Sequence, residues 1–529
     1  MYPARPLATA ALLLLASTAT VHAQSRTEEP IALSIETGTT GSKIDRNIFG
    51  QFAEHLGTGI YGGVWVGKDS PIPNVRGIRK DVVAALRAIR VPNVRWPGGC
   101  FADEYHWRQG VGPADKRASS VNTNWGGSGE PNTFGTDEFM DFVDQIGSEA
   151  YVSVNVGSGT IEEAADWLAY MTADASTTAG KERAANGHPA PYKVKYLGLG
   201  NESWGCGGSM RPEHYVDMMK PFARFTHNFN PKQTGAETMQ RIAVGPNGDD
   251  TSYTEAVMKA YKGHDWAWSI EGLSLHSYTT GGWPPSYSST NFDEAAYARI
   301  VKETLGMDGM IAKHAAIMDQ YDPEKKVPLV VDEWGVWLAP TPGTNPGFLQ
   351  QQNSMRDAIV AALNINIFAR HADRVRMSNI AQMINVLQAM ILTDKDKMVL
   401  TPTYHVFKMY LPFHDATFVP ARFDAGSYTE GDVRLPRVDA IAARDTAGKL
   451  WLSVTNLDPR RPVRLKASLA GVRMRAVQGQ LLTAPRIDSV NSFEKPDVVT
   501  PKPYAAKASG DGVMLELPAK SVLVVQVDS

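Results

Sequence analysis

Between residues 43 and 392, short apolar runs alternate eight times with longer amphipathic stretches, and this rhythm constrains the fold more than any other property of the chain. Apolar runs of strand length need cover on both faces, and parallel strands need crossover helices to join them. The expected strands are 47–52, 91–95, 151–155, 196–201, 241–245, 272–276, 329–333 and 377–384. Helices are expected over 78–89, 136–146, 160–171, 212–229, 292–318 and 353–372, several of them opened by Thr, Asp or Pro. Eight such alternations predict an α/β fold of the (β/α)8 TIM barrel type over residues 43–392.

An open, doubly wound sheet is the competing arrangement, because Gly57, Gly59 and Gly62 follow the first strand at dinucleotide-binding spacing. Pro71 and Pro73 follow where a helix should receive the pyrophosphate, so the segment reads as a loop. Gly62 to Gly67-Lys68 imitates a phosphate loop in the same way, but Asp69 stands where Ser or Thr would hold magnesium.

Beyond about residue 401 the pattern changes to short alternating runs broken by Pro, Gly and Asp, with no helix expected. This predicts a C-terminal all-β sandwich, jelly-roll-like, over 393–529. Residues 31–36 alternate similarly, so the segment 24–42 is expected to pair with that domain. The stretch 173–191 reads as a surface loop between a helix and the fourth strand.

Charge narrows the partners. With 53 Lys+Arg against 56 Asp+Glu, the formal net charge of −3 offers no surface for neutralising phosphates, and no nucleic-acid partner is expected. Residues 1–23 read as a secretory signal: Arg5, an apolar run over 7–19, then Val21-His22-Ala23 as a cleavage pattern. The expectation is a secreted or periplasmic protein. The apolar run is shorter than the roughly 20 residues a spanning helix needs, so no membrane span is expected.

Barrels of this kind gather function at the C-terminal ends of their strands. The fourth strand ends in Asn201-Glu202-Ser203-Trp204 and the seventh in Asp332-Glu333-Trp334. Two carboxylates brought to one rim by separate strands suit glycoside hydrolysis, which needs a proton donor for the leaving oxygen and a nucleophile or base at the sugar. Trp204, Trp334 and Trp337 offer flat apolar faces for sugar C–H groups. Glu54-His55, Arg95 to Cys100, Asn155, His276-Ser277-Tyr278 and Gln382 lie at other strand ends and could match the hydroxyls of a sugar. The chain has no His-Glu-x-x-His and no Gly-x-Ser-x-Gly motif, and its histidines do not fall at metal-ligand spacing. No metal and no organic cofactor are expected.

Gly50-Gln-Phe-Ala-Glu-His-Leu-Gly57, Ile60-Tyr-Gly-Gly63, Arg95-Trp-Pro-Gly-Gly99, Glu130-Pro-Asn-Thr-Phe-Gly-Thr-Asp-Glu138, Leu199-Gly-Asn-Glu202 and Asp332-Glu-Trp334 follow one another in order. Together they resemble the motifs of glycoside hydrolase family 51, the α-L-arabinofuranosidases, from about residue 44 to the C-terminus. The resemblance implies a retaining double displacement, with Glu202 as general acid/base and Glu333 as nucleophile. It implies that Asn201 bonds the sugar 2-hydroxyl, and that Glu54, Cys100, Trp125, His276, Tyr278, Trp337 and Gln382 line the arabinose subsite. Gln388 is near enough in sequence to compete with Gln382 for that place. Implied partners are plant polysaccharides or oligosaccharides bearing arabinofuranosyl groups, and a homo-oligomeric assembly. An endo-acting glucanase or xylanase of the same family and a non-catalytic sugar-binding protein are the alternative readings.

One position departs from the family pattern, since Cys100 stands where Asn often does, and a thiol is a weak donor. The only other cysteine, Cys206, lies four residues after Glu202 on a loop leading to the same rim. Two states are open at this point: a disulfide bracing the pocket wall, or two free thiols.

Overall fold

The computed structural model describes Met1, residues 29–509 and residues 512–529; the segment read as a secretory signal lies outside them. Eight parallel strands close into a barrel: Gly50–Phe52, Asn93–Trp96, Glu149–Val154, Tyr196–Leu199, Gln240–Ala243, Gly272–Thr279, Leu329–Val336 and Val375–Ile380. The eighth pairs with the first through Asn379 opposite Gly50, which completes the ring. Every expected barrel strand is present, because a run covered on both faces leaves an unbroken apolar signature in the sequence. Tyr151, Tyr196, Ile242, Val330 and Met377, one from each of five strands, pack together inside it.

The helices match their sequence signals closely where caps are strong. Thr136–Ile146 ends at Gly147, in the left-handed conformation at φ 75°, and Ile161–Thr172 starts from Thr160, whose side chain accepts from the Glu163 N–H. Its neighbour Gly135 tolerates no side chain, since a Cβ there would stand 1.9 Å from the Gly110 carbonyl oxygen.

Two expectations are corrected. The stretch read as a loop contains a helix, Thr178–Ala185, started by the Thr177 side chain accepting from the Gly180 N–H. It is short and polar, with a glycine inside, so it carries almost no amphipathic signal. A second helix, Pro402–Met409, follows residue 401, where none was expected; Pro402 occupies its first turn and Thr401 caps it. The eighth strand also stops at Ile380, so Gln382 sits on the loop beyond it.

The dinucleotide and phosphate-loop imitations open no helix. Gly57, Gly62 and Gly67 all adopt positive φ in turns, and the next helix begins only at Lys80. Gly67 and Lys68 flank a cavity of about 830 Å³ lined by both signs of charge, Asp69, Asp137 and Glu138 with Lys68 and Arg117.

The C-terminal domain forms two packed sheets joined by Lys502–Ser509, which pairs with Ala476–Thr483 on one side and Gly512–Leu517 on the other. Leu33, Val454, Leu465, Leu515, Leu523 and Val525 fill the space between them. Ile31–Ile35 adds to this domain, parallel to Val463–Leu469 and antiparallel to Ala421–Phe423.

The sandwich packs against the barrel through the helix Met355–Arg370, buried along its whole length except Arg370. Helices buried all round lose water as a partner for their polar groups; here Asn366 and Arg370 are met by protein, while Asn364 Oδ1 has no partner. The Asp439 carboxylate accepts from Asn366 Nδ2 at 2.7 Å and Arg370 Nη1 at 2.9 Å, and Tyr410 donates to the Asn366 carbonyl at 2.8 Å. The first-turn N–H groups of Met355 and Arg356 donate to Ser489 and Ile487 carbonyls of the sandwich. The β domain thus holds the helix that backs the seventh and eighth strands. Among the described residues, no helix is long and apolar enough to cross a membrane.

Candidate active site

Glu202 follows the fourth strand and Glu333 lies within the seventh, and each is positioned by a local irregularity. Glu202 has φ 39°, a left-handed conformation that costs a non-glycine residue free energy and that clusters at functional positions. The Asn201 N–H before it donates to Asp103 Oδ2 at 2.8 Å, and Asp103 also accepts from the N–H groups of Val156 and Gly157. One buried carboxylate therefore ties the second, third and fourth strand ends together; burial pushes it up to about 7.

The seventh strand carries a register shift: Val331 faces Ser378, but Trp334 faces Ile380. Successive residues of a regular strand point to opposite faces, whereas a bulge re-aims them. Asp332 and Glu333, although adjacent, both turn into the barrel mouth. Asp332 accepts from Tyr151 at 2.7 Å and pairs with Arg95, and Glu333 bonds Arg95 as well.

The two glutamates meet around His276. One ligand oxygen of each, with a nitrogen of His276, lie within 4.8 Å of one another. His276 Nδ1 is 2.8 Å from Glu202 Oε1 and 3.5 Å from Glu333 Oε1, while Nε2 is 3.2 Å from Asp332. Burial opposes a charge on this imidazole, but the carboxylates of Glu333, Asp332 and Glu202 outweigh it and push it up to about 10. A protonated ring offers no lone pair, so these three side chains make a poor metal site at neutral pH.

The two carboxyl groups differ in surroundings. Glu333 Oε1 accepts from Arg95 Nη1 at 2.8 Å and Oε2 from Tyr278 at 2.7 Å, two strong donors for a carboxylate. Glu202 has no guanidinium partner; burial raises it above the ordinary carboxylate value and the charge of Glu333 adds to the rise, with His276 partly offsetting both. Different hydrogen-bonding surroundings suit the two carboxyls to different tasks.

Asn201 accepts from Arg95 Nη2 at 2.6 Å, and because a guanidinium only donates, the amide is oriented with Oδ1 toward Arg95. Its NH2 group faces away, with only Cys206 Sγ at 3.7 Å. Glu54 accepts from Trp125 Nε1 at 2.8 Å, the Phe101 N–H at 3.1 Å and Gln382 Nε2 at 2.9 Å. Burial and the nearby Glu333 carry Glu54 up to about 7. Gln382 Oε1, on a side chain 2% exposed, has no partner, an acceptor awaiting a hydroxyl. Gln388 is spent on scaffolding, bonding the Val336 N–H, the Asp357 carbonyl and Thr403, so Gln382 is the glutamine that reaches the site. Gly99 lies between them: a Cβ there would stand 2.9 Å from Glu54 Oε1 and 3.2 Å from Glu333 Oε1.

Trp337 packs edge-on against Tyr278 at 5.1 Å and lies 6.4 Å from Trp125, giving the mouth an aromatic wall. Trp334, read as a possible sugar-facing ring, is instead in the core against Phe368 and Phe407. Trp204 is half-buried and donates to the Gly245 carbonyl. His55 bonds Glu130 and Trp96, His106 bonds Glu163, and Asn155 turns its own loop, so these three serve the scaffold.

Cys100 and Cys206 are joined in a disulfide with Cα atoms 5.5 Å apart. Of the two states left open by the sequence the disulfide is the one formed, and Cys100 accordingly has no S–H to donate. Asp332, Tyr151 and Asp103 are functional neighbours not picked out as site residues from the sequence, whereas Arg95, named there among the sugar-matching groups, bonds Glu333 and Asn201 instead. Arg95 left a signal, since a charge inside a fully apolar strand must find a buried partner.

Raised above its ordinary 6.5, the His276 imidazolium adds stability that is full below about pH 6.5 and vanishes above about pH 10. The gap in melting temperature between the wild type and His276→Asn should therefore narrow steadily across that range. A gap that does not change with pH would show that His276 carries no such charge.

Comparison with known proteins agrees with this geometry. The family model "Alpha-L-arabinofuranosidase 1 domain" matches residues 85–280, and "Alpha-L-arabinofuranosidase C-terminal domain" matches 332–521. A Bacteroides ovatus protein named an intracellular exo-α-L-arabinofuranosidase is 45% identical over 92% of this chain and 93% of its own length. The crystal structure of a GH51 arabinofuranosidase from Xanthomonas axonopodis pv. citri superposes with a TM-score of 0.91 at 52% identity, over 95% of this chain and all of that one. An arabinose complex of the Thermotoga maritima α-L-arabinofuranosidase superposes at 0.81 with 29% identity, over 94% of this chain and 99% of that one. The word intracellular in the Bacteroides name overturns one expectation: the reading of residues 1–23 as a secretory signal, and of the protein as secreted or periplasmic, does not stand. Matched across both its domains, this chain belongs to the α-L-arabinofuranosidases of glycoside hydrolase family 51.

Proposed function

We propose that the chain is a retaining, exo-acting α-L-arabinofuranosidase that removes terminal arabinofuranosyl groups from arabinan, arabinoxylan or their oligosaccharides. The observation that carries this reading is the meeting of Glu202 and Glu333 oxygens, with His276, inside 4.8 Å. Retaining enzymes hold their two carboxyls about 5–5.5 Å apart, whereas inverting ones leave about 6.5–9.5 Å for a water.

In the first step Glu333 attacks the anomeric carbon while Glu202 gives its proton to the departing oxygen. Arg95 and Tyr278 orient the attacking carboxylate, and burial raises Glu202, which favours its proton-donor form. In the second step Glu202 takes a proton from water, which attacks the same carbon and frees Glu333. The free NH2 of Asn201 would donate to the 2-hydroxyl, a contact that strengthens as positive charge grows on the ring.

Glu54 accepts from both Trp125 and Gln382, which fixes one side of the pocket. The orphan Gln382 oxygen and the Trp337 and Tyr278 rings would complete the sugar contacts, with the Cys100–Cys206 bridge as apolar wall. Arg95 and His276 supply the positive charge that faces Glu333 and Asp332.

Proton NMR of the first sugar released from an aryl α-L-arabinofuranoside should show the anomeric configuration of the substrate, with mutarotation following later. An initially inverted product would overturn the double displacement. Release of internal fragments from β-glucan or xylan in place of arabinose would favour the endo-acting reading.

A further inference from the structure

The disulfide and Glu202 share one corner of the site. Glu202 Oε2 is 3.4 Å from Cys206 Sγ and 3.9 Å from Cys100 Sγ, and the three ligand atoms lie within 4.8 Å of one another. Cys206 is exposed, so a small dithiol can reach it from solvent. Its thiolate would attack the Cys206 sulfur and displace Cys100 as thiolate; the reagent's second thiol would then close its own ring. Two electrons and two protons pass to the cysteine pair, and the reagent leaves as a cyclic disulfide.

Reduction turns two inert sulfurs into two soft ligands beside a carboxylate. Thiolates bond zinc-like ions at about 2.3 Å, and two thiolates with one carboxylate and a water fill a tetrahedral site. The protonated His276 stays outside this set and holds the other Glu202 oxygen. We propose that reduced Cys100 and Cys206, with Glu202, form a site for one thiophilic divalent cation of the zinc and cadmium class, and that its occupancy silences the enzyme. Binding displaces the two thiol protons and occupies the Glu202 oxygen that would carry the catalytic proton. The silencing rests on the acid/base role proposed for Glu202; the site does not.

Cadmium alone is the probe, on the full chain. The native protein is treated with dithiothreitol, desalted without air, and assayed for two thiols per chain before titration with Cd²⁺. Expected are one equivalent bound with a thiolate-to-cadmium charge-transfer band, and a fall in arabinofuranosidase turnover of about tenfold or more that a chelator reverses. The oxidised protein should show neither. Cys206→Ser should lose the band and the inhibition relative to its own metal-free rate. Glu202→Gln should keep the band but bind roughly tenfold or more weakly. Bonding resistant to excess dithiothreitol, absence of the band from a protein with two measured thiols, or equal binding by the oxidised form would each overturn the site. A full band with unchanged turnover would uphold the site and count against Glu202 as the acid/base.

Discussion

Glu333→Gln should lower turnover by about 10⁴-fold or more, a loss of at least about 5.4 kcal/mol of transition-state stabilisation, while leaving the fold intact. The substitution preserves shape and donors' partners: a glutamine oxygen still accepts from Arg95 Nη1, and the amide NH2 can face the Tyr278 oxygen. What disappears is the negative charge that attacks the anomeric carbon, and no neighbour can replace it. Asp332 is locked to Tyr151 and Arg95, and Glu54 is engaged by three donors. Turnover within tenfold of wild type, with an unchanged melting curve, would remove Glu333 from the mechanism.

For Glu202→Gln the expected loss depends on the leaving group. Positioned proton transfer contributes about 10²–10⁴-fold, so substrates with a sugar leaving group should fall toward the larger figure. Aryl arabinofuranosides whose phenols leave without help should form the glycosyl-enzyme almost normally and then stall, since no base activates water. Azide, which needs no base, should restore their turnover and yield an arabinosyl azide. A loss that is the same for good and poor leaving groups would mean that Glu202 is not the proton donor. Cationic His276 can still donate to a glutamine oxygen at this position, which favours retention of the local structure in the variant.

The barrel was legible because its signal is local. A strand covered on both faces must be apolar throughout, and each of the eight runs could be found without knowledge of the others. Glu202 and Glu333 were legible for a related reason, as charges at the ends of buried runs where a polar group is costly unless used. Elements without an apolar periodicity escaped: Thr178–Ala185 is polar, and Pro402–Met409 is a two-turn helix amid short strands. Trp334 was misjudged in the same way, for its ring direction depends on the bulge beside it and not on its place in the run.

Sequence alone determined the order of the eight barrel strands, the β character of the C-terminal domain, and the strand ends at which carboxylates stand. Only the tertiary structure decided that Asp332 and Glu333 share one face, that His276 sits charged among three acids, that Gln382 rather than Gln388 reaches the site, and that two cysteines 106 residues apart are joined. Periodicity is written into neighbouring residues. Side-chain direction, charge state and cross-linking follow from register and from groups brought near through space, which no local stretch of sequence encodes.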